Sequence, residues 1–235
     1  MIHTIGVVVP AANEQAHIGD CLNALIDSRQ HAQTNGAACV QVRIIVVLDS
    51  CMDGTAAIVN QHAGIEATRC SAACVGSARA LGVRHLLDSC ATPRSQIWLA
   101  NTDADSRVPV NWISSMLGHA ERGTHLVLGT VTPDDDLDVH RRHAWLARHH
   151  ARNGHSNIHG ANFGIRADIY QDLGGWPVLV CAEDVTLAHR ATAAGHLRIV
   201  RTAAIPVTTS SRLAGRAPEG FAGYLRTLLA DTAAS

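Results

Sequence analysis

Residues 98–109 read WLANTDADSRVP: an apolar run that ends in two carboxylates, Asp103 and Asp105, separated only by Ala104. Like charges at that spacing repel, so the pair is either a solvated turn or the seat of something positive. The run before it, QIWLAN at 96–101, has the short, unbroken apolar character of a strand buried on both faces. A helix is predicted over 108–122, with Pro109 suited to its first turn.

The same alternation extends outward. IGVVVP (5–10) reads as a strand, followed by a helix from about residue 17 to 28. RIIVVLD (43–49) is the next strand, with a helix beginning near Thr55 and a short, weak strand near 65–68. Residues 74–89 place Val75, Ala78, Leu81, Leu86 and Leu87 at roughly helical spacing, and HLVLGTV (125–131) adds another strand. Continuous apolar strands separated by helices predict an α/β fold with a mainly parallel sheet covered on both faces. In such sheets ligands bind beyond the carboxyl ends of the strands. Three predicted strands end in polar residues there: Asn13 and Glu14 after the first, Asp49 after the second, Asp103 and Asp105 after the fourth. Together they predict one crevice for something cationic or rich in hydroxyls. No repeat or low-complexity linker interrupts the chain, which favours a single domain over 1–235, with halves meeting near residue 130.

Composition removes several alternatives. The formal net charge of −1 gives no electrostatic case for nucleic acid as a partner. All 19 basic residues are Arg, which excludes a phosphate-loop lysine, a Schiff-base lysine and a Ser–Lys dyad. No segment approaches the roughly 20 apolar residues of a membrane helix, and the N-terminus does not read as a signal peptide. Seven cysteines without paired C-x-x-C spacing argue against zinc and are expected as reduced thiols in a cytoplasmic protein.

The order VVVPAANE, VVLDSCMDGT, NTDADS, GANFGIRADIYQDLGGWP and AEDVTLAHRATAAG resembles glycosyltransferase family 2 over roughly residues 5 to 200. The resemblance implies the GT-A fold, a Rossmann-like sheet flanked by helices, and a nucleotide-sugar donor, with a UDP-sugar favoured. It implies Mg²⁺ or Mn²⁺ as cofactor, ligated by Asp105, with Asp103 at the ribose or a metal-bound water and Ala104 as the spacer between them. A hard divalent cation prefers carboxylate oxygens and neutralises a leaving diphosphate. Pro10, Asn13 and Glu14 match the family's nucleotide-pocket opening, and Asp49 the aspartate that typically contacts the base. Leu48 and Cys51 depart from the family pattern at that motif. Asp53, Gly54 and Thr55 are expected to form the turn and cap of the next helix.

By the same resemblance Gly76 and Arg79 lie under the donor phosphates; Arg79 suits either the diphosphate, gripped bidentately, or solvent. Asp184 is implied as the general base and Glu183 as an acceptor contact, although both would also suit the first turn of a helix. Gly160, Asn162 and Trp176, with Ala161, Gly174 and Gly175, match the segment beneath sugar and acceptor. An aromatic face at Trp176 suits either sugar stacking or the core. The acceptor itself is not named by the sequence. Inverting transfer is the expectation, and retaining enzymes share the fold.

Residues 133–160 form a His/Arg-rich insertion that reads as a lid or acceptor element, with Asp138 and Arg142 placed to pair at i,i+4. His159 is a candidate donor or metal contact. Arg212 and Arg216, beyond the region of resemblance, sit in a loop that could fold over a diphosphate. Two other classes fit an α/β nucleotide crevice. A sugar-phosphate nucleotidyltransferase would need a Gly-rich, Lys-bearing N-terminal loop that this chain lacks. A non-catalytic sugar or nucleotide binder would not need Asp184.

Overall fold

A computed structural model describes residues 1–149, 151–215 and 220–229. In chain order the strands and helices are β1 (Thr4–Ala11), α1 (Ile18–Thr34), β2 (Gln41–Asp49), α2 (Thr55–Gln61), β3 (Glu66–Cys70), α3 (Val75–Asp88), β4 (Ile97–Asn101), β5 (Ser106–Arg107) and α4 (Trp112–Glu121). The second half adds β6 (Leu126–Pro133), α5 (Val139–Arg148), β7 (Phe163–Arg166), α6 (Ala167–Asp172), α7 (Glu183–Ala193), β8 (Ile199–Thr209) and α8 (Phe221–Thr227). One eight-stranded sheet runs through both halves in the order β3-β2-β1-β4-β7-β6-β8-β5.

The apolar runs are continuous because each strand has a core on both sides. In β2, Ile44, Val46 and Leu48 join one hydrophobic cluster, while Ile45 and Val47 join the other. In β1, Val7 and Val9 face the first cluster and Val8 the second. Strands β3, β2, β1 and β4 are mutually parallel, so the acidic ends of β1, β2 and β4 share one edge. Pro10 lies inside β1, but β1–β4 pairing stops at Val8↔Asn101, so its missing N–H interrupts no β4 ladder there. Strand β7 then runs antiparallel to both β4 and β6.

Several expectations shift. Helix α4 begins at Trp112, whose N–H donates to the Pro109 carbonyl, so Pro109 precedes the helix rather than filling its first turn. Asp138 caps α5 through the Arg141 N–H and pairs with the Arg141 side chain at 2.8 Å, not with Arg142. Arg142 turns back to the Asp134 carbonyl instead. Helix α5 is seated by Trp145, 4% exposed, which stacks on His149 and meets Phe221 and Tyr224 of α8 edge-on. Arg216 and Pro218 lie outside the described residues.

The largest departure is β8, which the sequence pattern does not announce. Pro206 inside it and its Ala and Thr content hide a strand. Its pairing with β6 is irregular: Gly129 matches Thr202, but Val131 matches Val207. Asn162 fills the resulting gap. Its Nδ2 donates to the carbonyls of Thr130 (2.8 Å) and Ile205 (2.7 Å), and its Oδ1 accepts from Trp112 Nε1 (2.9 Å). A Cβ on Gly129 would lie 2.2 Å from Asn162 Nδ2, so only glycine admits the plug. Asn162 is 0% exposed, with its amide committed to the core rather than presented where the sequence expectation put an acceptor contact.

Asn162→Ala therefore strands two carbonyls and an indole N–H in the core. Each costs about 1–3 kcal/mol, so a melt followed by circular dichroism should fall by roughly 6 °C or more for a chain of this size. An unchanged midpoint would show that the bulge does not depend on this amide.

Candidate active site

Five carboxylates and two arginines converge at the carboxyl edge of the sheet. Asp103 and Asp105 follow β4, Glu14 follows β1, and Glu183 and Asp184 open α7. Arg79 comes from the second turn of α3, and Arg212 from the segment after β8. The excess of negative charge is the dominant physical property of the place.

Arg79 is 2% exposed, neither in solvent nor free for a diphosphate, which corrects both expectations. Its Nη2 donates to Asp103 Oδ1 at 2.6 Å and its Nη1 to the Gly160 carbonyl at 2.9 Å. Nε lies 3.2 Å from Glu183 Oε1, close enough for an ion pair but not aligned for a hydrogen bond. The guanidinium also sits 5.3 Å over the Trp176 ring. Trp176 is 4% exposed and packs on Phe163 and Tyr170, so it supports Arg79 rather than offering a face to a sugar. A Cβ at Gly160 would come 2.4 Å from Arg79 Nη2, which explains the glycine. On its other side the Gly160 N–H donates to Asp184 Oδ2 at 2.5 Å.

One buried cation thus links the Asp103 turn to the Glu183–Asp184 pair. Burial raises the proton affinities of Glu183 and Asp184, with Arg79 opposing in both. Asp184 is half-buried, and its Oδ1 accepts from the Val185 N–H at 2.7 Å. A carboxylate with raised proton affinity next to the DxD turn is chemically suited to receive a proton.

Asp105 is compensated by a different partner. Arg212 Nη2 lies 2.8 Å from Asp105 Oδ2, and the same guanidinium grips Glu14 bidentately at 2.7 and 2.8 Å. Glu14 itself is 3% exposed. Burial and repulsion from Asp103 raise the Asp105 carboxyl to about 6, against the pull of Arg212. That residual negative potential, presented on oxygen donors only, fits a hard divalent ion such as Mg²⁺ or Mn²⁺. Among the described residues no group of three His, Cys, Asp or Glu forms an all-protein cage. This suits an ion that takes one or two carboxylates and completes its shell with phosphate and water. Ala104 is 3% exposed and anchors the turn in the core.

The first two loops are laced together around this edge. Asn13, at φ 54°, accepts the Met52 N–H, and Thr55 Oγ1 accepts the Glu14 N–H. Asp53 accepts the N–H and hydroxyl of Thr55, the turn-and-cap role expected for it. Asp49 is buried, and its two oxygens already accept the N–H groups of Ala73 and Cys74 at 2.9 and 3.0 Å. Its carboxylate fixes the loop into α3. His159 is half-buried, and burial with nearby His155 and His149 lowers it to about 4, leaving a neutral imidazole at pH 7. Sequence reasoning noted Arg212 without a motif to place it. It lies 198 residues from Glu14, and no local pattern could signal that pairing.

Two outcomes follow from these charges. Arg79→Leu leaves the buried Glu183 without its counter-charge, so stability should fall by about 3–5 kcal/mol; a variant with an unchanged denaturant midpoint would refute the linking role. For Asp105 the folded chain holds its proton up to about pH 6, whereas an unfolded aspartate releases it near pH ~4. This group therefore favours folding in acid, and its contribution is lost as pH rises through 6. Asp105→Asn should melt close to the parent at pH ~4 and above it at pH ~7; the reverse order would contradict the excess-charge reading.

The sequence profile of the family described as Glycosyl transferase family 2 matches residues 6–176. No curated protein sequence matches the chain. Among solved structures it is similar to S. aureus TarS 1–349 in complex with UDP-GlcNAc, with TM-score 0.67 and 14% identity over 93% of this chain and 61% of that one. A mannosyltransferase from Pyrobaculum calidifontis in complex with GDP-Man and Mn²⁺ gives 0.61 and 20% over 98% and 64%. Glucosyl-3-phosphoglycerate synthase from Mycobacterium tuberculosis, with Mn²⁺, UDP and phosphoglyceric acid, gives 0.59 and 16% over 99% and 78%. The chain spans less than two thirds of the first two of these structures. At these identities the likeness is one of fold, the GT-A sheet with its helices. With the profile matched from β1 through Trp176 beneath Arg79, the chain belongs to glycosyl transferase family 2.

Proposed function

We propose that the protein transfers one sugar from a nucleoside diphosphate-sugar to an acceptor hydroxyl, with a divalent cation and with inversion. The observation that carries this is the pairing, through Arg79 and Gly160, of a DxD turn with the half-buried Asp184. That arrangement holds the two acidic groups side by side, which supports reading one as the donor-phosphate side and the other as the base. A uridine nucleotide is the favoured donor base, supported by the UDP-GlcNAc and UDP held by two of the neighbours. The GDP-Man of the third keeps the guanine donor in the test.

In this reading Asp105, with Asp103 beside it, would hold Mg²⁺ or Mn²⁺, which would supply neutralisation of charge on the departing diphosphate. The Asn13–Glu14 loop, the Asp49-tethered loop and the strand end at Pro10 bound the nucleotide. Asp184 takes the proton from the acceptor hydroxyl as its oxygen bonds to the anomeric carbon and the carbon–phosphate oxygen bond breaks. The hydroxyl attacks opposite the leaving group, which inverts the centre. The Gly160 and Val185 N–H groups orient the Asp184 carboxylate, and Arg79 keeps Asp103 and Glu183 in register with it. Glu183 is buried against Arg79, so its role is to position Asp184 rather than to bind the acceptor.

Among the described residues no helix is long and apolar enough to cross a membrane. A cytoplasmic location belongs to the proposal and rests on the seven free thiols.

The test is a thermal-shift panel of UDP, GDP, CDP and TDP with Mn²⁺, followed by turnover with the stabilising nucleotide's sugars. One nucleotide should stabilise the chain, and Asp105→Ala should remove the metal-dependent part. Asp184→Asn should keep nucleotide binding and lose transfer by about 10²–10⁴-fold, the usual contribution of a general base. Transfer at the parent rate in that variant would sink the assignment of the base.

A further inference from the structure

The cation on Asp105 in this structure is a side chain. Arg212 satisfies both oxygens of Glu14 and one oxygen of Asp105 with a single guanidinium. The segment that carries it is anchored just before it. Ser210 N–H donates to the Asp105 carbonyl at 3.0 Å, and Ser211 donates its N–H and hydroxyl to Asp134 Oδ1. Beyond Arg212, residues 213–215 are exposed. The side chain is itself one-third exposed and is held by these ion pairs.

Resting on the proposed metal–nucleotide reading, we propose that Arg212 is an exchangeable counter-ion that occupies the metal's place at Asp105 until donor and metal arrive together. A guanidinium and a divalent ion cannot both hold Asp105 Oδ2: they contend for the same lone pairs and repel each other. The metal alone gains Asp105 only by expelling Arg212 from a buried carboxylate, Glu14, with no anion to receive it. A nucleoside diphosphate changes that balance, because its phosphate oxygens accept a guanidinium bidentately. Metal and diphosphate then bind with positive coupling, which is reciprocal by linkage. The device suppresses metal binding in the absence of donor.

The experiment measures Mn²⁺ affinity by electron paramagnetic resonance, with and without UDP or whichever nucleotide stabilises the chain. In the parent, Mn²⁺ alone should bind weakly, and nucleotide should tighten it by a factor within the roughly 5–150-fold range of ordinary coupling. Arg212→Gln should bind Mn²⁺ alone about tenfold more tightly or better, with the nucleotide effect reduced. Because that variant leaves Glu14 charged and buried, Glu14→Gln/Arg212→Gln is measured beside it, each checked for folding by circular dichroism. Equal affinity for Mn²⁺ alone in parent and both variants, with Mn²⁺–nucleotide binding intact, overturns the exchange and spares the donor-site reading. Absence of Mn²⁺ binding in every protein, with or without nucleotide, overturns both.

Discussion

The structure depends on one buried guanidinium. Arg79 sits on α3 beneath the sheet edge, and its charge is admissible there only because Asp103, Glu183 and the Gly160 carbonyl surround it. Each partner belongs to a different part of the chain: the turn after β4, the start of α7 and the 3-10 turn that leads into β7. A cation removed from water demands such company. That demand brings segments more than eighty residues apart to within one hydrogen bond of each other.

Around this fixed point the remaining charge is left deliberately unbalanced. Two arginines face five carboxylates, and the surplus falls on Asp105 and Asp184, the two groups proposed to meet metal and acceptor. Raised proton affinity at both is the electrostatic signature of that surplus, tied to burial rather than to any hydrogen bond. The second arginine, Arg212, relieves part of it from the far end of the chain. The acidic cluster is thus completed by sequence that lies beyond the family-matched region.

The sheet was legible where both its faces are covered. In β1, β2 and β4 the central run is apolar for a reason visible in one dimension, and helix α3 was predicted nearly to its ends. Strand β8 was not legible, because Pro206 and a bulge disguise its period, and its partner at the bulge is a side chain, Asn162, rather than a backbone. Residue type was an ambiguous guide at three positions. Asn162 and Trp176 are polar or amphipathic residues next to a functional motif, yet both are closed inside the core. Arg79 carries the charge expected at a phosphate site, but its guanidinium is consumed by protein groups.

What the sequence by itself determined is the catalogue of carboxylates at three strand ends, since strand direction and side-chain chemistry are local properties. The parallel run β3-β2-β1-β4 follows from the same local pattern, because runs buried on both faces require helices on both faces. Tertiary structure alone decided how those charges are shared: Asp103 goes to Arg79, while Asp105 goes to Arg212 with Glu14. Such pairing is a matter of distance across the fold, and Coulomb attraction between groups nearly two hundred residues apart leaves no trace in their spacing along the chain.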